Sequence, residues 1–408
     1  MILEMINMFV KREIESKITE MSVAFKVVML CGPRQVGKTT LLKKMCGEKR
    51  TYVSLDNLEV RKLAEESPDL FFQKYKQPIL IDEIQYAPGL LSYIKIIVDE
   101  SDNKGDFWIT GSQQFHLMKD VTESLAGRVG ILYMNGLTYD EKIEEIRYEP
   151  FDPERIRLWK KLELMDIFED IYNGGMPGCV LNRNMKKNDF YDSYVRTYIE
   201  RDVKDLTQVG NELSFYQFLT SVASRTGEQL NYTALAADSN ITVPTAKTWL
   251  SILITSGLVY LLQPYANNVL TRTTKMPKII FMDTGLCTFL TKWDSKETLE
   301  ASSVSGHLFE TWVISEIIKK YQNNGLTTPP IYYYRDKDKK EIDLIIYKNN
   351  KLYPFEIKKT ANPNKEIIKI FNILNKTKKE IGQGGIICMY QDILPIDDNN
   401  NIIPVGCI

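Results

Sequence analysis

Apolar and polar positions divide the chain into segments of two periods. Lys26 to Cys31 (KVVMLC) is a continuous apolar run of strand length, and Pro78-Ile79-Leu80-Ile81 is another that ends in Asp82-Glu83. Shorter runs lie at Tyr52–Leu55 and Phe107–Ile109. Runs that are apolar on both faces fit strands of a buried parallel sheet. Helical stretches separate them, so the opening 150 residues predict an α/β unit whose ligand loops lie at the carboxyl ends of its strands. Beyond Glu149-Pro150-Phe151-Asp152-Pro153, a break carrying two prolines, Leu158–Tyr172 and Asp189–Leu206 read as helices. Leu230–Asp238 predicts a short helix and Ser239-Asn240 a turn. Thr242 then caps a second helix from Pro244 to Ser256 that stops at Gly257. With Val259–Leu262 as a following strand, this is a winged-helix outline. Farther on, Gly306 to Tyr321 is helical, and two β-patterned runs flank Asn349-Asn350 as a hairpin.

The first apolar strand runs straight into Gly32-Pro33-Arg34-Gln35-Val36-Gly37-Lys38-Thr39, a complete G-x-x-x-x-G-K-[ST] phosphate loop. Its glycines let backbone N–H groups turn inward around phosphates, Lys38 supplies a point charge, and the Thr39 hydroxyl is placed for Mg²⁺. Thr40 follows in a helix whose positive dipole end faces the same anion. This motif binds a nucleoside triphosphate. Asp82, at the end of its strand, is placed to share Mg²⁺ with Thr39, and Glu83 to orient or deprotonate the attacking water. Thr110 or Ser112, at the end of the Phe107 strand, would contact the γ-phosphate, with a plain strand-to-turn transition as the alternative. Arg128, in Ser-Leu-Ala-Gly-Arg-Val, can neutralise transition-state charge in its own site or a neighbour's, or serve as a surface arginine.

Composition narrows the remaining choices. With 408 residues, 44% hydrophobic and 26% charged, the chain is an ordinary globular protein of two or three domains. A net charge of −1 recruits neither nucleic acid nor an anionic membrane globally. The six cysteines include no C-x-x-C pair, which argues against a zinc site and fits a reducing compartment. Two histidines leave little room for Ser–His or Cys–His catalysis. No apolar run reaches membrane-spanning length, so the expected location is cytoplasmic, with no membrane partner. In the winged-helix outline, Lys247 is the second helix's base-reaching cation, and Arg272, Lys275 and Lys278 nearby could touch a DNA backbone. A packing or protein-contact module is the other reading of this outline.

GPRQVGKTTL, ILIDEIQ, ITGSQQF and SLAGRV, in this order, resemble the AAA-type ATPase domain of a widespread prokaryotic family with a C-terminal domain of unknown function. The resemblance covers essentially the whole chain. It implies ATP as the nucleotide, Mg²⁺ as its metal, Lys38, Thr39, Asp82 and Glu83 as site residues, and a functional Arg128 acting in cis or in trans. Near the other end, a hairpin centred on 349/350 places Asp343 opposite Glu356, with Lys358 on the same face. Opposed carboxylates call for a cation between them, and a divalent metal is the natural one. Asp followed by Glu-x-Lys resembles the PD-(D/E)XK nuclease core, and that resemblance makes Glu310 the helix-borne member of the site. In this chain Ile342 stands where that core carries proline, and Pro354 interrupts the second strand. A degenerate nuclease-like fold, or a solvated face with a local Glu–Lys pair, is the alternative.

The expected architecture is therefore α/β. A P-loop NTPase domain (1–150) precedes a helical region (151–212), a winged-helix-like unit (213–280) and a small nuclease-like α/β domain (281–408). The expected activity is Mg²⁺-dependent ATP hydrolysis coupled to a DNA-interacting or nuclease-like module. A nucleotide-gated switch that binds protein or DNA and cleaves nothing is the alternative. ATP, DNA, a protein partner and further copies of the chain are the candidate partners.

Overall fold

The computed structural model describes residues 9–111, 121, 123–182, 184–199, 212–267 and 276–408. Its first part is a five-stranded, wholly parallel sheet of β1 (Val27–Cys31), β2 (Thr51–Ser54), β3 (Ile79–Asp82), β4 (Phe107–Thr110) and β5 (Val129–Tyr133). The spatial order is β2-β3-β4-β1-β5. β1, β3 and β4 are buried throughout, which is why their sequences are continuously apolar rather than alternating. Helices α1 (Glu15–Ala24), α2 (Lys38–Cys46), α3 (Leu58–Glu66), α4 (Pro68–Lys74) and α5 (Leu90–Asp99) belong to this layer. α5 buries Leu90, Leu91, Ile94 and Val98, each stabilising the fold by about 1.5–3 kcal/mol. All four apolar runs are strands, within one residue of the sequence boundaries.

The middle region differs from expectation at its start. The helix expected from Leu158 begins only at Leu164 and ends at Asn173. Residues 158–163 run against the carboxyl-terminal segment instead, where the Trp159 N–H donates to Gly406 O at 3.4 Å. A Cβ on Gly406 would lie 1.8 Å from Lys160 O, so the glycine permits that approach. The next helix covers Lys187–Tyr194 and continues as a π turn through Ile199; the rest of its expected length lies outside the described residues. Helices Glu212–Ser224, Tyr232–Asp238 and Val243–Thr255 follow, then β6 (Val259–Leu262) paired antiparallel with β7 (Lys278–Phe281). Thr242 caps the third of these helices by accepting from Thr245 N.

The last part pairs the long helix Ser305–Asn323 with a mixed sheet. That sheet contains β8 (Ile331–Arg335), β9 (Glu341–Lys348), β10 (Lys351–Lys358), β11 (Glu380–Ile381), β12 (Gly384–Cys388), β13 (Leu394–Pro395) and β14 (Asn400–Pro404). Its main path is β13-β14-β12-β10-β9-β8. β9 and β10 form the expected hairpin, pairing from Lys348↔Lys351 to Leu344↔Phe355. Buried apolar side chains from the first sheet through the middle helices to the last sheet form one continuous core. Among the described residues, no helix is long and apolar enough to cross a membrane.

Candidate active site and a second carboxylate cluster

β1 delivers the phosphate loop and α2 begins at its lysine. Gly32 has φ +142, and a Cβ there would sit 1.9 Å from Met134 O, so only glycine fits beside the exit of β5. Gly37 is left-handed (φ 95) and serves as the N-cap of α2. Lys38 is buried, and its Nζ donates to Gly32 O at 2.8 Å and Pro33 O at 2.7 Å, closing the loop on itself. Burial pulls its pKa down to about 8, an ammonium poorly satisfied by carbonyls alone and suited to a phosphate. Gln35 and Val36 complete the loop, with Val36 fully buried; Arg34 is half-buried and Thr40 exposed.

β3 and β4 supply the acidic side. Thr39 Oγ1 donates to Asp82 Oδ1 at 2.8 Å, and Thr110 Oγ1 donates to the same oxygen at 2.5 Å. The Tyr52 hydroxyl reaches Asp82 Oδ2 at 3.2 Å, and the Glu83 N–H donates to Thr110 Oγ1 at 3.2 Å. Glu83 adopts a left-handed conformation (φ 57, ψ 49), strain that turns its carboxylate out of the strand direction; Gln85 Nε2 donates to it. Lys38, Thr39, Asp82, Glu83 and Thr110 thus come together. An oxygen set of one hydroxyl and one carboxylate fits Mg²⁺, which takes few protein ligands and keeps waters and phosphate oxygens. Ser112 lies outside the described residues.

Arg128 does not join this group. β1 and β5 are parallel with Val27↔Val129 and Cys31↔Tyr133, which puts Arg128 at the amino edge of the sheet and the loop at the carboxyl edge. The strand between spans about 13 Å. Arg128 Nη2 donates to Asp99 Oδ2 at 2.9 Å, the second arm of a bidentate pair at the end of α5. This position sets it at the opposite edge of the sheet from its own chain's phosphate loop.

Sequence reasoning passed over Arg12. Its Nη1 donates to Val36 O of the phosphate loop at 2.9 Å, its Nη2 to Asn135 O at 2.8 Å, and its Nε lies 3.0 Å from Glu141 Oε1. The neighbouring Glu13 accepts from Thr138 Oγ1 at 3.0 Å and from Asn323 Nδ2 of the long helix at 2.9 Å. Burial and the Glu141 charge push Glu13 up to about 7. Asn135 Nδ2 donates to Gln322 Oε1 at 2.7 Å, so a buried polar seam ties the loop to the last domain. The signal available was a charged triplet, Lys11-Arg12-Glu13, set between Phe9-Val10 and Ile14.

In the last domain the hairpin brings Asp343 and Glu356 to one place, and the cation between them is Lys358. Its Nζ lies 2.8 Å from Asp343 Oδ2 and 2.9 Å from Glu356 Oε2. Asp343 Oδ2 also accepts from Ile357 N at 2.9 Å. Glu310 contributes from the long helix, where Lys278 Nζ donates to its Oε1 at 2.8 Å. Burial and then the Asp343 charge raise Glu310 to about 7 and Glu356 to about 8. Among the described residues, no group of three or more His, Cys, Asp or Glu is arranged to hold a metal ion. Lys278 is 3% exposed and pairs with Glu341 as well, at 2.6 Å, so it cannot touch a DNA backbone as the sequence suggested. Arg272 and Lys275 lie outside the described residues, and Lys247 is exposed.

Residues 24–143 match a family profile described as an AAA domain, 165–297 one described as a domain of unknown function (DUF8612), and 305–408 another such domain (DUF4143). Uncharacterized proteins of Mycobacterium bovis and Mycobacterium tuberculosis are each 29% identical over 342 residues, 83% of this chain and 71% of theirs. Among solved structures, the Walker-type ATPase of Pyrococcus abyssi aligns at 15% identity over 69% of this chain and 96% of its own, with a TM-score of 0.42. The RuvB Holliday junction branch migration motor of Thermotoga maritima aligns at 16% over 62% and 90%, with a TM-score of 0.29. The matched segments give the chain an AAA domain at residues 24–143 and a C-terminal domain of unknown function, DUF4143, at residues 305–408.

Proposed function

We propose that the chain hydrolyses ATP with Mg²⁺ and uses the cycle to control its middle and C-terminal parts. The observation that carries this reading is the hydrogen-bonded group in which Thr110 joins Asp82 to the backbone of Glu83, beside Thr39. Lys38 would leave the loop carbonyls for the phosphates, Thr39 and Asp82 would hold Mg²⁺, and Glu83 would take the proton of the attacking water. The metal would supply charge neutralisation on the phosphate oxygens. Arg128, at the far sheet edge, would act on a neighbouring copy of the chain in a homo-oligomer. Turnover by Glu83→Gln, with nucleotide affinity measured alongside, tests the base; undiminished hydrolysis would remove Glu83 from that role.

The C-terminal part is read as a DNA-interacting or nuclease-like module. Asp343, Glu356 and Lys358 on one hairpin face support this, as do the three middle helices with the β6–β7 pair in winged-helix order. The second reading, a nucleotide-gated switch that cleaves nothing, is favoured by Lys358 lying between the two carboxylates. Incubation with DNA and Mg²⁺ or Mn²⁺, with and without Asp343→Ala, separates them: cleavage lost in the variant supports the nuclease reading, and no cleavage by the parent under ATP supports the switch.

A further inference from the structure

Arg12 is buried beside the phosphate loop, yet its charge is already matched. It is 4% exposed, and its Nε lies 3.0 Å from Oε1 of Glu141, a carboxylate that is itself fully buried. The rest of the guanidinium is a fork that grips backbone. Nη1 donates to Val36 O at 2.9 Å, inside the phosphate loop. Nη2 donates to Asn135 O at 2.8 Å and Gly136 O at 3.4 Å, in the segment that leaves β5. One planar group therefore clamps the loop to the strand exit beside it, a geometry that the single ammonium of a lysine does not reproduce.

The carbonyl it holds decides where an amide points. In a trans peptide, such as the one joining Val36 to Gly37, the C=O of the first residue and the N–H of the second face opposite ways. With the Val36 carbonyl fixed on the arginine, the Gly37 N–H is turned away from it. A phosphate is cradled by the N–H groups of such a loop, and a peptide rotated the other way would present a carbonyl oxygen to the anion. Gly37 is left-handed, at φ 95 and ψ 21, and has no Cβ to hold that peptide in place. Arg12 supplies the restraint from outside the loop.

The seat of Arg12 depends in turn on the last domain. Asn135, whose carbonyl takes Nη2, donates from its own side chain to Gln322 Oε1 at 2.7 Å. Glu13 N donates at 2.8 Å to Glu141 Oε1, the oxygen that faces Arg12, and the Glu13 carboxylate accepts from Asn323 Nδ2 at 2.9 Å. Gln322 and Asn323 are the last two residues of the long helix, and both are buried. We propose that Arg12 is the positioning residue of the phosphate loop, holding the Gly37 N–H toward a bound phosphate, a role that rests on the phosphate-binding reading above. The end of the long helix sets its grip. Linkage makes this route two-way: a helix end that strengthens nucleotide binding is itself held more firmly when nucleotide is bound.

Titration of the full chain with a fluorescent ATP analogue, beside its unfolding in urea, tests this. Arg12→Lys keeps a cation opposite Glu141 and gives up the fork. The folded variant should bind nucleotide about 10- to 100-fold more weakly, the loss expected for one charge-assisted N–H contact to phosphate. A merely structural arginine would lower the folded fraction and leave the affinity of the folded chain unchanged, and that result would overturn the positioning role. Gln322→Ala with Asn323→Ala should weaken binding about fivefold or more, and should add nothing once Arg12 is replaced by lysine, because both act through one residue. Additive losses, or no loss, would overturn the route through the helix end. Should Arg12→Lys not fold, hydrogen exchange in the unaltered chain takes its place: ATP should slow exchange at the end of the long helix, and unchanged exchange would overturn the proposal. An unaltered chain that binds no ATP, with Lys38→Met no different, would remove the phosphate-binding reading and the role of Arg12 with it.

Discussion

Both clusters put a lysine beside carboxylates carried on strands, yet they answer opposite problems. Lys38 is held by the carbonyls of Gly32 and Pro33, and Asp82 by the hydroxyls of Thr39, Thr110 and Tyr52. Each of these contacts pairs a charged group with a neutral one and is worth about 1.5–3 kcal/mol, a contribution that an incoming phosphate or metal replaces in kind. Lys358 and Lys278 are held by Asp343, Glu356, Glu310 and Glu341, charge against charge, with Lys278 buried and Lys358 partly exposed. Such pairs resist being separated by several kcal/mol. The first cluster is poised for a ligand; the second is locked by its own chain. The identity of a lysine's partner, more than its burial, separates the two.

The comparison can be broken most forcefully at the first cluster. Glu83→Gln should cut ATP turnover by about 10²–10⁴-fold with nucleotide binding retained, measured by phosphate release and by fluorescent-nucleotide titration. Next come the lysines. Lys358→Met should cost about 2 kcal/mol in urea denaturation, less than the ~3–5 of a fully buried pair because the side chain is 36% exposed. Lys38→Met strands only carbonyls and should cost about 1 kcal/mol or less, while abolishing nucleotide binding. If the two stabilities fall equally, the distinction between neutral and charged partners fails.

Acidity gives a smaller effect. Glu356, raised from 4.5 to about 8, holds its proton more tightly folded than unfolded. Its contribution to stability is complete below about pH 4.5 and is lost as pH rises towards 8. Thermal unfolding of Glu356→Gln should therefore lose less stability than the parent between those values; parallel curves would contradict it. The smallest change belongs to Arg128→Ala. Nucleotide affinity of the single chain should stay as it is, and turnover should fall only at protein concentrations where the parent's specific activity rises.

How much of this was legible in sequence follows from how local each signal is. The phosphate loop is eight contiguous residues, and Asp82-Glu83 closes an apolar run, so their meeting needs only parallel strands. The hairpin register was readable because a turn at Asn349-Asn350 fixes every pair beyond it, down to Leu344↔Phe355. Arg128 stayed open between its own site, a neighbour's and the plain surface for want of one fact, that β5 starts beside the first residue of β1 and so places the arginine at the amino edge of the sheet. Arg12 and Lys278 escaped for another reason: their partners lie in remote segments, and a lone cation names no partner. For Lys278 the clue was the strand around it, since a lysine amid Ile279, Ile280 and Phe281 is destined for the interior.

The seam formed by Arg12 and Glu13 bears on how the molecule comes into being. Arg12 grips the loop at Val36, and Glu13 accepts from Asn323, 310 residues farther along. On a ribosome the loop emerges early, but the amide that pins its brace emerges only after most of the chain has been made. Non-local closures of this kind are slow, and the partly made chain exposes the face awaiting the long helix. The braces of the phosphate loop are therefore complete only when the long helix of the last domain has folded against the first.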